Sequence, residues 1–290
     1  VRNGNCAADT SSSVSITVNP LAVGGTIGDV AVCDTINNGT LTLNGSIGTI
    51  VSWESSVDNG ATWATIANTT TTLNYTNVKD TTLYRAILVT GCSQDTSAVG
   101  TIFINPNTIA GVVSKSDSVC SAVNSNTLHL TGYRGSVLGW QKSIDDGTVW
   151  TAIANTTDSL TYTNISQTTL YRAIVQNGSC DIDTSSQAKI FVFPTSVGGA
   201  VSAGSSGACE GSNGGTLTLT GYVGSVLRWE ASTDGGTTWS TIANTTSTYT
   251  YLNIAKTTSY RAVVQSGNCT AATSTVSTIS LIPTPVAVFT

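Results

Sequence analysis

The stretch Ser52-Trp53-Glu54-Ser55-Ser56-Val57-Asp58-Asn59-Gly60-Ala61-Thr62-Trp63 decides the fold, because it recurs twice further along the chain. The later copies occupy residues 139–150 and 228–239. Each keeps two tryptophans ten positions apart and the phrase Ser-x-Asp-x-Gly-x-x-Trp. An Asp that hydrogen-bonds its own turn and a Gly that accepts a positive φ are typical of a β-hairpin loop. The sequence therefore contains at least three copies of one β-unit.

Composition excludes several classes of function. The 290 residues carry a net charge of −5 with 9% charged residues, whereas nucleic-acid binding needs a basic face. No apolar run approaches the roughly 20 residues of a membrane helix. Short alternating runs of Val, Ile and Thr predict an all-β chain. We expect no nucleic-acid partner, no membrane insertion in this segment and no cofactor. The start at Val1, with no signal peptide in view, predicts a mature or excerpted piece.

Six of the seven cysteines recur at a nearly constant spacing. No Cys-x-x-Cys occurs, so zinc is not expected. The spacing predicts one disulfide inside each repeat and an oxidising, extracytoplasmic location. Each bond would close a loop of about 60 residues and stabilise the fold by roughly 4 kcal/mol in the chain-entropy model. The predicted pairs are Cys33–Cys92, Cys120–Cys180 and Cys209–Cys269.

The seventh cysteine, Cys6, has no mate under this scheme. Its context Asn3-Gly4-Asn5-Cys6 matches Ser266-Gly267-Asn268-Cys269, so Cys6 corresponds to the second cysteine of a repeat. We expect its mate upstream of residue 1, in a parent protein that continues beyond this N-terminus. A genuine free thiol is the alternative.

Prolines mark the ends of the repeats. Pro20, Pro106, Pro194 and Pro283 each end an alternating apolar run, and proline cannot continue a ladder of strand hydrogen bonds. Few residues separate each proline from the next predicted strand, which favours a semi-rigid rod of domains. The predicted boundaries are 1–20 for the C-terminal strand of a preceding repeat, 21–106, 107–194 and 195–283 for three complete repeats, and 284–290 for the start of a following segment.

Each repeat is expected to hold about seven strands, with turn signals every 8–12 residues, which is typical of a two-sheet sandwich. Alternation places the first tryptophan and the tyrosine of the sixth strand in the core. The Arg after that tyrosine and the residue after that tryptophan then point outward, which predicts the cross-strand pairs Glu54–Arg85, Gln141–Arg172 and Glu230–Arg261. The predicted core residues are Trp53, Trp140, Trp229, Tyr84, Tyr171 and Tyr260.

A paired cysteine, a core Trp on the third strand and a Tyr that opens the sixth strand resemble an immunoglobulin-like domain. In antibody domains the second cysteine follows the tyrosine by two residues, whereas Cys92 follows Tyr84 by eight. The predicted disulfide should therefore staple one end of the domain. The whole pattern is similar to tandem repeats of giant Bacteroidota surface proteins, like the gliding and attachment adhesins exported by the type IX secretion system. This resemblance implies tandem seven-stranded immunoglobulin-like sandwiches in an elongated rod, extracellular and at the cell surface.

The function indicated is structural and adhesive: a stalk or filament of a very large secreted protein, for attachment or gliding. Two alternatives stay open, a carbohydrate-binding array on a secreted enzyme and a self-assembling surface fibre. The expected partners are a surface polysaccharide or other extracellular ligand, neighbouring repeats of the same protein, and further copies in self-association. No catalytic triad, phosphate loop or metal cluster is recognisable, and the single histidine, His129, should face outward. We therefore expect no enzyme.

Three sets of residues are candidate sites. The second tryptophan of each hairpin and the Ile three positions later should point to opposite faces of their strand. Either a bulge turns both side chains inward or the aromatic ring is exposed. An exposed ring could bind sugars, and packing over the sheet edge is the alternative; these candidates are Trp63, Trp150 and Trp239. The turn aspartates Asp58, Asp145 and Asp234 are expected to serve the hairpin rather than calcium, since no further carboxylates cluster nearby in the sequence. Asp-Ser/Thr phrases resemble the O-glycosylation motif of Bacteroidota at Thr35, Thr81, Ser118 and Ser159.

Overall fold

The computed structural model describes residues 1, 3–114, 116–121 and 123–284, and the described residues with regular structure are all in β-strands. Residues 285–290, most of the predicted following segment, lie outside the described residues. The chain divides into two compact units, Val1–Ile109 with Gln176–Ile182, and Ala110–Val175 with Asp183–Thr290. A short stretch of repeat 2 therefore belongs to the same compact unit as repeat 1.

The described residues of each of the three repeats form nine short strands. In repeat 1 they are β1 (Thr26–Ile27), β2 (Val30–Cys33), β3 (Asn38–Asn44), β4 (Thr49–Ser56), β5 (Ala64–Ile66), β6 (Thr72–Thr76), β7 (Thr82–Val89), β8 (Gln94–Thr96) and β9 (Gly100–Asn105). In repeat 2 they are β10 (Val112–Val113), β11 (Asp117–Cys120), β12 (Ser125–Thr131), β13 (Ser136–Ser143), β14 (Thr151–Ile153), β15 (Ser159–Thr163), β16 (Thr169–Gln176), β17 (Asp183–Thr184) and β18 (Ala188–Phe193). In repeat 3 they are β19 (Ala200–Ala203), β20 (Gly207–Cys209), β21 (Gly214–Thr220), β22 (Ser225–Ser232), β23 (Ser240–Ile242), β24 (Thr248–Leu252), β25 (Thr258–Gln265), β26 (Ala272–Thr273) and β27 (Ser277–Ile282).

Each repeat is a sandwich of two sheets. In repeat 1 the smaller sheet has the order β1-β3-β6, and the larger has the order β2-β9-β7-β4-β5, with β8 paired to β7. Repeats 2 and 3 have the same two strand orders. The pairs are antiparallel except that β2 runs parallel to β9, as do its counterparts in the other repeats. This topology is immunoglobulin-like, as the sequence predicts.

The predicted seven strands become nine because the first and the last are each interrupted. The first divides into β1 and β2, which join different sheets. The last divides into β8 and β9 around Ser97, whose hydroxyl accepts a hydrogen bond from the Ala86 N–H at 2.9 Å. This hydroxyl takes the place of a backbone carbonyl, so the strand bulges without leaving the Ala86 N–H unpaired.

The core of each sandwich centres on the first tryptophan of the hairpin. Trp53, Trp140 and Trp229 are at most 1% exposed, and each indole Nε1 donates to a threonine carbonyl 17 residues later, at 2.9–3.0 Å. Burial of an indole is favourable when its N–H keeps an acceptor. The tyrosines that open the sixth predicted strand pack in the same clusters and are also buried: Tyr84, Tyr171 and Tyr260. These are the positions that the sequence pattern assigns to the core.

Residues 1–20 do not form the predicted strand. Val14, Ile16 and Val18 are each more than 85% exposed, and the first strand among the described residues begins at Thr26. An alternating segment becomes a strand only when a neighbouring strand and an apolar layer receive it. Among the described residues, neither is provided for this segment, so its apolar side chains stay in contact with solvent.

Candidate functional site

The hairpin turn is held by a closed set of hydrogen bonds around one aspartate. Asp58 Oδ1 accepts from the Ser56 hydroxyl at 2.7 Å and from the Thr62 N–H at 2.9 Å, while Oδ2 accepts from the Thr62 hydroxyl. The Ser56 hydroxyl in turn accepts from the Gly60 N–H at 2.9 Å. Asn59 and Gly60 both have positive φ, at 58° and 87°, which explains the Gly in the repeated phrase.

The turn aspartates of the other two repeats are held in the same way. Asp145 and Asp234 make equivalent bonds to Ser143 and Ser232 and to the backbone N–H four residues later. Each carboxylate is thus engaged by donors of its own turn. Within the described part of the chain, no group of three His, Cys, Asp or Glu side chains could hold a metal ion. The geometry supports a structural role for these carboxylates.

The turns differ in how strongly they stabilise the ionised carboxylate. Hydrogen bonds from the Thr62 hydroxyl, the Thr62 N–H and the Ser56 hydroxyl lower the pKa of Asp58 to about 2. The Thr238 hydroxyl and N–H lower the pKa of Asp234 in the same way. Repeat 2 has Val149 at this position, so the pKa of Asp145 is lowered by the Val149 N–H and the Ser143 hydroxyl, without the second hydroxyl donor that Thr62 and Thr238 supply. Hydrogen bonds to the charged form favour ionisation.

We predict that NMR titration of the carboxyl carbons will give pKa values for Asp58 and Asp234 below that of Asp145. A pKa depressed in the folded state adds stability that is present above the unfolded value, roughly 3.9, and is lost as pH falls through the folded value. The hairpins of repeats 1 and 3 should therefore resist acid to lower pH than that of repeat 2. The matched control is Thr62→Val, which should raise the pKa of Asp58 towards that of Asp145. Three equal pKa values would contradict the assignment.

The second tryptophan of each hairpin is half-buried beneath an arginine. The guanidinium carbon of Arg85 lies 3.9 Å from the centroid of the Trp63 ring, and Arg172 and Arg261 lie 3.9 and 4.0 Å from Trp150 and Trp239. The indole Nε1 of Trp63 donates to Gly60 O at 3.1 Å, which ties the ring to the turn. One face of each candidate sugar-binding ring is thus covered by a side chain of the same repeat.

The same arginines make the predicted cross-strand pairs. Arg85 Nε is 2.7 Å from Glu54 Oε2, Arg172 Nε donates to Gln141 Oε1 at 2.8 Å, and Arg261 Nε is 2.6 Å from Glu230 Oε2. Repeat 3 adds Arg228, whose Nη2 is 2.7 Å from Glu230 Oε1. Burial of Glu230 opposes its ionisation, but hydrogen bonds from Arg261 and Arg228 outweigh that effect and hold its pKa below the ordinary value.

Arg261→Ala should destabilise repeat 3 more than Arg172→Ala destabilises repeat 2. Both substitutions uncover a tryptophan face, but only the first leaves a buried carboxylate with one cation in place of two. Hydrogen bonds to charged groups contribute about 1.5–3 kcal/mol and neutral ones about 1 kcal/mol. Hydrogen exchange of β22 and β25 against β13 and β16 measures the two losses. Equal losses would show that the charge of Glu230 adds nothing to the pair.

The cysteines do not pair as the spacing predicts. Cys33 is bonded to Cys180, and Cys120 is bonded to Cys269, with Cα atoms 4.8 and 5.5 Å apart. Cys92 and Cys209 are free and exposed. The pairs Cys33–Cys92, Cys120–Cys180 and Cys209–Cys269 are therefore wrong, and so is the expectation of one disulfide inside each sandwich. The first cysteine of a repeat bonds instead to the second cysteine of the repeat that follows it.

Strand direction explains the correction. Cys33 ends β2, which runs parallel to β9, so Cys33 lies beside Asn105 at the end of β9. Cys92 lies beyond the end of β7, which is antiparallel to β9 and has 8 residues. At ~3.4 Å per residue the two cysteines lie at opposite ends of a strand of about 27 Å. A disulfide needs Cα atoms within about 7 Å, which excludes a bond between them.

The remaining candidate residues lie on the surface or in strands without a common site. Thr35 and Thr81 are exposed, whereas Ser118 and Ser159 are half-buried on β11 and β15. His129 is exposed on β12, as its alternation predicts. None of the described residues belongs to a helix long and apolar enough to cross a membrane.

Fold and cysteines together define a class: tandem immunoglobulin-like sandwiches whose disulfides run from one repeat to the next. Three segments, residues 23–106, 109–194 and 197–283, match the family described as "Domain of unknown function (DUF8696)". The chain belongs to this family. Each match ends at the proline predicted to close a repeat and starts two residues after the predicted boundary.

Similarity to other proteins is weak. No curated protein sequence matches this chain. Among solved structures, the mouse nectin-like molecule 4 ectodomain (Ig1–Ig3) has 14% identity and a TM-score of 0.41, covering 90% of this chain and 100% of that one. The chicken CNTN1 FN1–FN3 domains have 14% identity and a TM-score of 0.29, covering 89% and 98%. The sandwich fold described above follows from the strand pairing of this chain.

Proposed function

We propose that this chain is a structural and adhesive segment of a large secreted protein, in which joined repeats form a stalk or filament for attachment or gliding at a cell surface. The observation that carries the proposal is the pair of interleaved disulfides. A disulfide between adjacent repeats limits hinge motion between them, which is a mechanical role. Disulfides form and persist in oxidising compartments, which supports an extracellular location.

The content of the repeats supports the same role. Each sandwich uses its tryptophans, tyrosines and turn aspartate for packing and for its own hydrogen bonds. The turn aspartates, which were weighed against calcium, accept hydrogen bonds from serines of their own turns. A surface polysaccharide or other extracellular ligand, and further copies of the protein, are the partners proposed for such a segment.

The carbohydrate-binding alternative has less support. It needs the second tryptophans to offer a flat ring to a sugar, but an arginine lies over one face of Trp63, Trp150 and Trp239. The guanidinium is in turn fixed by its Glu or Gln partner. Withdrawing it would break both interactions at once. We therefore assign the arginine–tryptophan stack to the stability of the hairpin edge.

Immunogold electron microscopy of intact source cells tests the proposal. Antibody raised to the 290-residue chain should label thin surface fibres, and antibody absorbed with the same chain should remove the gold. Antigen found only as a soluble secreted species, with no gold on cells, would overturn the surface role. A bead-attachment assay with and without the antibody then separates adhesion from a purely structural role.

A further inference from the structure

Two kinds of cysteine recur in this chain, and their surroundings are the same in every repeat. The strand cysteines, Cys33, Cys120 and Cys209, end the strand that runs parallel to the closing strand. The turn cysteines, Cys92, Cys180 and Cys269, lie in the turn after the long strand that opens with the core tyrosine. Both disulfides join a strand cysteine to the turn cysteine of the next repeat.

The strand cysteine Cys209 is placed like its two bonded counterparts. It pairs in register with Ile282, as Cys33 pairs with Asn105 and Cys120 with Phe193. The residue after it, Glu210, donates its N–H to the Ile282 carbonyl at 2.9 Å. The equivalent bonds are from Asp34 to Asn105 at 2.9 Å and from Ser121 to Phe193 at 2.8 Å. In all three repeats the strand cysteine thus lies beside the residue that precedes the closing proline.

The turn cysteine Cys92 is also placed like its bonded counterparts. Its Sγ lies 3.7 Å from the carbonyl of Asn19, the residue before Pro20. The corresponding distances are 3.4 Å from Cys180 Sγ to the Asn105 carbonyl and 3.9 Å from Cys269 Sγ to the Phe193 carbonyl. The turn of Cys92 is therefore already seated on the end of the preceding segment.

A glycine explains why each turn can approach so closely. A Cβ added to Gly91 would lie 2.6 Å from Asn19 Nδ2, and one added to Gly178 or Gly267 would clash with the side chain of Asn105 or Phe193. The second junction is fixed further by Asn268, whose Nδ2 donates to the Ser118 carbonyl at 2.7 Å. The residue that each glycine contacts is Asn, Asn or Phe, whereas the close contact with a glycine occurs in all three repeats. The same seat is therefore built three times.

We propose that Cys92 and Cys209 are the two open halves of this same inter-repeat disulfide. Cys209 takes the turn cysteine of a further repeat of this family, and Cys92 takes the strand cysteine of another. The partner in each case is a cysteine thiol of another sandwich of the same family. That sandwich belongs either to the same polypeptide or to a second copy of this chain. The disulfides then form a ladder that runs through any number of repeats, and no bond closes within a single repeat.

Bond formation needs an oxidant of the low-molecular-weight disulfide class, such as oxidised glutathione. One cysteine thiolate attacks a glutathione sulfur and releases one glutathione thiolate. The second cysteine thiolate then attacks the mixed disulfide and releases the other glutathione. Two thiols lose two electrons and two protons, and one oxidised glutathione becomes two reduced molecules.

A mixing experiment tests a second copy as the source of the partner. All chains carry Cys6→Ser, and equimolar Cys92→Ser and Cys209→Ser chains are equilibrated in glutathione buffer, alkylated and mapped by mass spectrometry. If a second copy supplies the partner, the Cys92–Cys209 heterodimer should exceed either homodimer by about fivefold or more, because thiol exchange at equilibrium favours the seated pair. The random ratio of about two to one would count against specific pairing.

Extended chains test the same polypeptide as the source. In one, a second copy of residues 195–283 follows Pro283, and Cys209 should be bonded to the turn cysteine of the added repeat. In the other, a copy of residues 21–106 replaces residues 1–20, and Cys92 should be bonded to the added strand cysteine. Success in either the mixing experiment or the extended chains supports the ladder and identifies the source. The proposal is overturned if Cys92 and Cys209 remain open to alkylation throughout, or if an added repeat closes its disulfide internally.

Discussion

Stretched from its two ends until all three sandwiches unfold, the oxidised chain should extend to about 115 residues, since the shortest covalent path crosses both disulfides. At ~3.3–3.6 Å per residue this is roughly 400 Å, against roughly 1,000 Å for the reduced chain. Single-molecule force spectroscopy measures the difference. Loss of the Cys33–Cys180 bond through Cys33→Ser should give an intermediate path of about 140 residues, because the Cys120–Cys269 bond still shortens it.

The control for this prediction is Cys209→Ser. Cys209 forms no bond in the chain, so the oxidised length should stay at about 115 residues. Disulfides inside each repeat would give a similar oxidised length, but Cys33→Ser and Cys209→Ser would then each add about 60 residues. An equal gain from both variants would therefore contradict the interleaved pairing.

The second large effect is expected from the core tryptophan of one repeat. Trp140 is 1% exposed and its Nε1 donates to the Thr157 carbonyl at 2.9 Å. Trp140→Ala removes the largest side chain of its cluster and leaves a cavity as well as an unpaired carbonyl. We expect a loss of about 3–5 kcal/mol, the range for large aromatic residues in cores. Hydrogen exchange of β13 and β16 measures the loss within repeat 2.

The matched control is Trp150→Ala in the same hairpin. Its ring is half-buried and stacks with Arg172 at 3.9 Å, so the main loss is one cation–π interaction, about 0.5–1 kcal/mol at an exposed site. A similar loss from both substitutions would mean that the second tryptophan is part of the core. Repeats 1 and 3 should exchange as in the unaltered chain in either variant, which shows whether the effect stays local.

Most of the fold could be predicted from local patterns in the sequence. The recurring hairpin, the alternation around Tyr84 and the closing prolines are features of single strands and turns, and each occurs at least three times. The pairing of Glu54 with Arg85 was also accessible, because it follows from alternation once two strands are neighbours. Such contacts depend on residue parity, which the sequence records directly.

The disulfide pairing was not accessible in the same way. Equal spacing of Cys33–Cys92, Cys120–Cys180 and Cys209–Cys269 is a property of any tandem repeat and says nothing about which copies meet. The decisive fact is the parallel pairing of β2 with β9, which places Cys33 at the end of the sandwich opposite to Cys92. That pairing involves residues about 70 positions apart and leaves no periodic signal. The offset of eight positions from Tyr84 to Cys92 was the one available hint, since it carries the cysteine out of the core.

Residues 1–20 show a related limit. Val14, Ile16 and Val18 alternate as a strand should, yet they are exposed, because alternation states what a segment could pair with and not whether a partner is present. The sequence left two interpretations of the second tryptophans for a similar reason. Strand alternation showed that the tryptophan and the nearby Ile could not both face inward in a regular strand. The arginine that covers each ring comes from a different strand, so alternation could not reveal it.

The overlap of the two disulfide loops also bears on proteolysis. The loop closed by Cys33 and Cys180 and the loop closed by Cys120 and Cys269 share residues 120–180, so together they enclose every peptide bond from Cys33 to Cys269. A protease that cuts an exposed turn or a joint between repeats in that span makes a nick, and both fragments stay covalently attached. In a ladder continued through further repeats, severing the protein would take at least two cuts. A surface protein exposed to secreted proteases would thus keep its outer repeats after a single cut. In a chain of domains without such disulfides, the same cut would release the outer repeats.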